Sequence, residues 1–334
     1  MTELSTIRWG ILGTGKIARK FAHDVKVAAP GAELKAVGSR SRENAEAFGD
    51  EFGIPNRHGS YEQLTADPEI DVVYIATPHP WHKETTMLCL NAGKAVLCEK
   101  AFAMNAQQAR EMVALARQKN LFLMEAMWTR FRPATVKLRE LVANDAIGEI
   151  QFLTASVGWP GGNHYETRSY AKDLGGGIML DGTVYPISFA FDLLGTPSKI
   201  ASIGVLGETE VDEQETIAFG YPSGAQAMIF GSLRTALRGP AIVAGTKGRI
   251  EVSHQWWEPH QITLFADGAE PEVFDFPEND TLGYQYEAIT VDEALHAGKT
   301  ESEIMPLDET ITIMETMDTL RAQWGLTYPA DNKK

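Results

Sequence analysis

The sequence predicts an α/β protein in two parts: an N-terminal doubly wound parallel sheet, then an α+β portion with a large, mostly antiparallel open sheet. Three observations lead there. Short apolar runs alternate with helical segments from Ile7 to Met127. A glycine turn within Gly10–Ala18 ends the first run and opens the first helix. From Ile200 to Phe276, strand-like runs are separated only by short turns. Strands parted by helices need right-handed crossovers and pair in parallel, whereas strands joined by tight turns pair antiparallel.

Ile7–Leu12 is apolar and ends in glycine, as suits a buried parallel strand. Lys16–Lys26 has helical spacing. Leu34–Ser39 is the second strand and Arg42–Phe52 the second helix. Asp71–Ala76 is a third apolar strand. The helix His82–Ala92 stops at Gly93. Ala95–Cys98 is a fourth strand, Asn105–Lys119 a helix capped by Asn105, and Leu121–Glu125 a fifth strand. Thr135–Asn144 reads as a helix, Glu149–Val157 as a half-exposed strand, and Gly175–Leu194 as a helix after a glycine run. Tyr284–Ala297 and Leu307–Trp324 close the chain as helices. The expected domains are residues 1–127 and 128–334.

With 334 residues and 44% hydrophobic side chains, the chain is long enough for two cores. Its net charge of −15 argues against nucleic acid or an anionic membrane as partner. No window approaches the ~20 apolar residues of a spanning helix. Residues 1–8 show no basic segment followed by an apolar run, so no signal peptide is expected. Cys89 and Cys98 are too few for a disulfide scaffold. A cytoplasmic protein is expected. No Cys, His and carboxylate cluster has metal-ligand spacing, and no Gly-x-Ser-x-Gly elbow is present, so neither a metal nor a serine hydrolase is expected.

Gly13, Gly15 and Ala18 fill the three special positions of a dinucleotide fingerprint: a tight turn, a close approach to pyrophosphate, and close helix–strand packing. Gly13, Thr14, Gly15, Lys16 and Ile17 are therefore expected to hold a cofactor at the helix start. The end of the second strand should choose between NAD and NADP. It reads Gly38-Ser39-Arg40-Ser41-Arg42, with no carboxylate for a ribose 2′-hydroxyl. Ser39 and Arg40, with Arg42, suit a 2′-phosphate, so NADP is expected over NAD.

The glycine turn, Ala76-Thr77-Pro78-His79, Leu97-Cys98-Glu99-Lys100-Ala101 and Asp181…Tyr185 together resemble the Gfo/Idh/MocA oxidoreductases. Glu125-Ala126-Met127-Trp128-Thr129-Arg130-Phe131, Gly175-Gly176-Gly177 and Gly283-Tyr284-Gln285-Tyr286-Glu287-Ala288 are most similar to the branch of dimeric dihydrodiol and NADP-dependent xylose dehydrogenases. The resemblance implies a Rossmann domain and an open sheet that pairs subunits into a homodimer or dimer of dimers. It implies interconversion of a secondary alcohol with a ketone or lactone on a sugar, polyol or cyclic diol. It implies Lys100, Asp181 and Tyr185 as catalytic residues. It also implies Thr77, Pro78, Glu99 and Lys100 near the cofactor. By their place after the third strand, His79 and His82 are candidates for the nicotinamide side, with a helix N-terminus as the alternative. Trp128, Trp159 and Tyr284 are candidates for an apolar wall beside nicotinamide and substrate, with core or dimer packing as the alternative, and Arg168, in a glycine-rich loop, is a candidate for lining the substrate.

Asp181 and Tyr185 are four apart on an expected helix, which would give them one face. An ammonium or phenol beside the alcohol can carry its proton. His164 precedes the catalytic segment and is a further lining candidate, while Trp256-Trp257 reads as core or interface. Three positions depart from the family pattern. Ala101 replaces a proline, implying a looser turn. His79 replaces an asparagine, and Gly182 comes one place early. Two other functions use the same fold: a hydrolase or lyase that retains NAD, and a non-enzymatic dinucleotide sensor. The sensor has no need of Lys100, Asp181 and Tyr185 together.

Overall fold

The computed structural model describes residues 6–160, 167–277 and 280–332. The chain divides into two compact units, Met1–Trp128 with Asn279–Ile311, and Thr129–Glu278 with Thr312–Lys334.

The first unit runs β1 (Ile7–Leu12), α1 (Lys16–Ala28), β2 (Ala32–Gly38), α2 (Arg42–Phe52), β3 (Asn56–His58), α3 (Tyr61–Thr65), β4 (Val72–Ile75), α4 (His82–Asn91), β5 (Ala95–Glu99), α5 (Ala106–Lys119) and β6 (Leu123–Ala126). Its six strands are parallel in the order β3-β2-β1-β4-β5-β6. The strand order reverses between β1 and β4, which opens a crevice at their carboxyl ends. Both faces are covered, so β4, β5 and β6 are buried throughout; β4 is an unbroken apolar run, while β5 and β6 carry the buried carboxyls of Glu99 and Glu125. Helix starts follow their caps. The Ser41 and Asn105 side chains accept from the N–H groups of Asn44 and Gln108 at 3.2 and 2.9 Å. Neither β3 nor α3 is expected from sequence. The three residues of β3 are polar and half-buried at a sheet edge, so they carry no apolar signal.

The second unit contains α6 (Pro133–Ala143), β7 (Ile150–Gly158), a π-helical turn (Met179–Thr183) running into α7 (Val184–Leu194), then β8 (Lys199–Leu206), β9 (Asp212–Gly220), β10 (Gln226–Ser232), β11 (Ala241–Gly245), β12 (Gly248–Val252), β13 (Gln261–Ala266) and β14 (Glu272–Asp275). These strands form one sheet, β14-β13-β12-β11-β7-β10-β9-β8, parallel only between β7 and β10. Helices α6 and α7 pack against it. The outward residues of β9 and β10 alternate with buried ones, as one covered face requires.

Two expectations change here. Gly175–Leu194 is not one α-helix. Gly175 and Gly177 have φ of +70° and +110°, and a π-turn precedes α7, so Asp181 and Tyr185 do not share a regular helical face. One stretch, Lys172–Leu194, does reach the length and apolarity of a membrane span. It is 78% buried, which is how a core helix meets the same composition test.

The closing helices are α8 (Gln285–His296) and α9 (Leu307–Trp324). The sequence places α8 with the C-terminal sheet, but it packs on α1 and β2 of the first unit. Long-range polar pairs fix it there. The Asp24 carboxylate accepts from the N–H groups of Leu282 and Tyr284, and the Trp9 indole donates to Asp292 at 2.9 Å. Helical periodicity identifies such a segment without saying which sheet it covers.

Candidate active site

In the first unit the glycine turn lies at the strand-order switch. Gly13 has φ +109° and its N–H donates to the Gly38 carbonyl at 2.9 Å. A Cβ there would meet the Ala76 carbonyl oxygen at 2.8 Å. Gly15 begins α1 with no side-chain cap, and a Cβ on it would meet nothing within 4 Å. Lys16 is exposed, Thr14 and Ile17 are half-buried, and Ala18 is fully buried. An uncapped helix start beside open space suits a pyrophosphate.

At the end of β2, Ser39 is buried and its Oγ accepts from the Ser41 N–H at 3.3 Å. Arg40 is exposed, with its guanidinium 5.6 Å from the Trp81 ring centroid. The same guanidinium partly offsets the burial that raises the Tyr61 hydroxyl above its ordinary range. Arg42 is turned along α2 and bonds Glu46 at 2.8 Å. Neither Trp81 nor Tyr61 is legible from sequence as a neighbour of Arg40.

After β4, the buried His82 places Nε2 2.8 Å from the Thr77 carbonyl and Nδ1 2.9 Å from the Ala101 carbonyl. It thereby ties the Thr77-Pro78 turn to the turn carrying Lys100. His79 is also buried, its ring edge-on to His82 at 5.5 Å. Lys100 is half-buried, and the Lys100–Ala101 peptide is cis. Glu99 accepts a hydrogen bond from the buried Tyr74 hydroxyl. Burial, then the charges of Glu99 and Asp24, push the Glu287 carboxyl well above the usual range. The Glu-Lys segment and the Gly283–Ala288 segment are thus neighbours. Trp128 and Tyr284 are buried and stacked, with ring centroids 4.7 Å apart.

In the second unit, Asp181 sits on the π-turn and Tyr185 in the first turn of α7, half-buried and buried respectively. The Arg168 guanidinium donates to Asp181 Oδ1 at 2.7 Å. Trp159 packs against Tyr170, Ile178, Val211 and Leu233. A Cβ on Gly182 would lie 2.7 Å from Trp159 Cη2 and 2.7 Å from Ile178 Cδ1. The early glycine therefore admits the Trp159 ring against the π-turn. Trp256 is core, its indole donating to the Ser156 carbonyl at 2.7 Å. His164 lies outside the described residues.

Residues 7–127 match the family described as "Oxidoreductase family, NAD-binding Rossmann fold", and residues 135–251 match the "GFO/IDH/MocA C-terminal domain". The chain belongs to the Gfo/Idh/MocA family. Among Gfo/Idh/MocA relatives, trans-1,2-dihydrobenzene-1,2-diol dehydrogenase of Mus musculus is 38% identical, covering 98% of this chain and 99% of its own length. That of Xenopus laevis is 37% identical over 96% and 99%. A solved 3-ketoreductase from Actinomadura kijaniata, in complex with NADP and TDP-benzene, superposes with a TM-score of 0.81 at 25% identity over 95% of this chain and 98% of its own. An aldose–aldose oxidoreductase from Caulobacter crescentus shares the fold, with a TM-score of 0.86 at 22% identity over 96% and 98%. This Gfo/Idh/MocA chain is an NAD(P)-dependent oxidoreductase acting on CH–OH groups.

Proposed function

We propose that this oxidoreductase uses NADP to interconvert a secondary alcohol and a ketone on a cyclic diol or a sugar. The observation that carries the cofactor reading is Arg40, at the end of β2 and over Trp81, where no carboxylate stands. The amides of Gly13–Ile17 bind the pyrophosphate, and Ser39 with Arg40 binds the 2′-phosphate. Similarity over nearly the whole length to enzymes named for a dihydrobenzenediol supports the substrate class. The stacked Trp128–Tyr284 pair offers the apolar surface that a ring substrate needs.

Bound nicotinamide would supply the two-electron acceptor or donor. Lys100 and Tyr185 take up or return the hydroxyl proton. Asp181, held by Arg168, orients the substrate hydroxyl or Lys100. His82 fixes the turn of Lys100 through the Ala101 carbonyl. A second copy of the chain covers the sheet of the second unit. Ile203 and Met228 are 72% and 50% exposed, and the strand register puts both on one face. Free buried thiols at Cys89 and Cys98 fit a reducing cytoplasm.

The test is a cofactor absorbance assay over trans-dihydrodiols, aldoses and inositols, with wild type and Lys100→Met. We expect turnover on a diol or sugar. We expect the variant to lose about a hundredfold or more while still binding cofactor. Full turnover by Lys100→Met refutes the catalytic assignment.

A further inference from the structure

We propose that Asp212 and Glu215 are positioning residues: a buried carboxyl pair, bridged by a proton, that locks the π-turn Met179–Thr183 and so sets the places of Asp181 and Tyr185. This rests on the reading that those two residues serve the reaction.

The pair is built into the fold from several sides. In β9 the register with β8 passes from Gln214 opposite Val205 to Asp212 opposite Leu206, leaving Glu213 as the extra residue of a bulge. Strict alternation would put Asp212 and Glu215 on opposite faces. The bulge re-aims Asp212 to the face of Glu215. Asp212 Oδ2 accepts from the Met179 N–H, the first residue of the π-turn, at 2.6 Å. A Cβ on Gly177 would lie 2.0 Å from Asp212 Oδ1, so the carboxylate occupies the space of a side chain. The Tyr328 hydroxyl donates to the Gly176 carbonyl at 2.6 Å and lies 3.3 Å from Asp212 Oδ1. The run Gly175–Gly177 thus has a physical purpose: it lets a carboxylate and a phenol reach the backbone ahead of the catalytic turn.

Glu215 approaches the same turn at its other end. Gly231 stands opposite Glu215 in the β9–β10 register. A Cβ on Gly231 would lie 2.0 Å from Thr183 Oγ1 and 3.2 Å from Glu215 Oε1. Asp212, Glu215 and Thr183 are all at most 1% exposed. Both Glu215 oxygens and the Thr183 hydroxyl are buried, and among the described residues no N–H, ammonium or hydroxyl donates to Glu215. Two carboxyls buried on one face of β9 beside the same turn cannot both be ionised. Asp212 has the Met179 N–H to stabilise its charge, so Glu215 keeps the proton and offers it to Asp212 or Thr183.

The surrounding charges agree. Burial raises both carboxyls, and the charge of Asp212 raises Glu215 further. Arg321, over the Tyr328 ring, favours the ionised form of Asp212. Glu213, the neighbour in the bulge, is turned to Arg234 at 2.8 Å. Asp181, on the turn itself, is held by Arg168. Nothing in the described groups gives Glu215 a cation of its own.

The experiment compares wild type, Glu215→Ala and Glu215→Gln. It reads kcat, cofactor Kd by fluorescence titration, and amide hydrogen exchange over residues 179–185. We expect Glu215→Ala to lower kcat about tenfold, as losing one buried hydrogen bond at the turn would do. We expect cofactor Kd to stay within about twofold and exchange at 179–185 to quicken. Glu215→Gln, which keeps a donor at the same place, should restore kcat and exchange. Wild-type kcat and wild-type exchange in Glu215→Ala overturn the proposal. Quickened exchange with unchanged kcat upholds the pair and overturns the catalytic reading of Asp181 and Tyr185 instead. Should Glu215→Ala not fold, Asp212→Asn is read the same way: unchanged exchange at 179–185 overturns the proposal.

Discussion

Arg168 donates to Asp181 at 2.7 Å, with the arginine 43% and the aspartate 17% exposed. The pair holds the one carboxylate of the π-turn in place while leaving it open to solvent. Because the arginine is exposed, the ion pair itself adds little to stability. Its consequence is for function. Arg168→Ala is expected to lower kcat/KM about tenfold with thermal stability nearly unchanged. Steady-state kinetics beside a melting curve checks this, and a loss of stability without a loss of kcat/KM contradicts it.

Gly13 and Gly15 separate the two jobs of the glycine turn. Gly13 has a positive φ and a carbonyl at 2.8 Å from any Cβ, so Gly13→Ala strains the fold. It should cost about 2 kcal/mol in denaturant unfolding. Gly15 has φ −76° and open space around it. Gly15→Ala should therefore leave stability alone and weaken cofactor binding about tenfold or more. Equal effects of the two substitutions on stability would show that the turn is not divided in this way.

Asp292 makes stability depend on pH. Burial raises its carboxyl to about 6, against the Trp9 indole N–H, which pulls it down. The folded chain keeps a proton that the unfolded chain releases above about pH 4. Stability from this group is therefore lost as pH rises from about 4 to about 6, and is level above that. Asp292→Asn keeps an acceptor for Trp9 and removes the titration. The variant's stability relative to wild type should rise by on the order of 2 kcal/mol across that range. A pH-independent difference, measured by denaturant unfolding, would contradict this.

The sheet face of the second unit carries the assembly prediction. Ile203 and Met228 are exposed large apolar residues on strands β8 and β10. Light scattering should find a dimer in wild type and a monomer in the Ile203→Lys, Met228→Lys double variant. A monomeric wild type would rule out pairing by this face.

Much of the fold is legible where a local rule suffices. The bounds of α2 follow from the Ser41 cap and from Gly53 in the left-handed region at φ +74°. β4 and β5 follow from burial on both faces. Rules of this kind fail where the cause is distant in sequence. α8 reads as a helix, but its place is set by Asp24 and Trp9, more than 250 residues away. Among the candidate site residues, the place of Arg40 after β2 is legible because the end of the strand is, while its contact with Trp81 is not. Arg42 lies on α2, where it pairs with Glu46 one helical turn on, a partner that strand-end reasoning does not supply. The burial of Asp212 and Glu215 is not legible, because a bulge decides which way Asp212 faces and Asp-Glu-Gln-Glu reads as solvated. Gly182 is legible as an oddity, and only the Trp159 ring beside it says why.

The cofactor assignment can be tested most directly by the ratio of kcat/KM for NADP to that for NAD, in wild type and in Arg40→Ala, with one diol or sugar substrate. A charge-assisted contact to a 2′-phosphate corresponds to about a ten- to hundredfold preference. We expect a wild-type ratio in that range or above, collapsing toward one in Arg40→Ala with the NAD value unchanged. A wild-type preference for NAD, or a ratio that Arg40→Ala does not move, would contradict it.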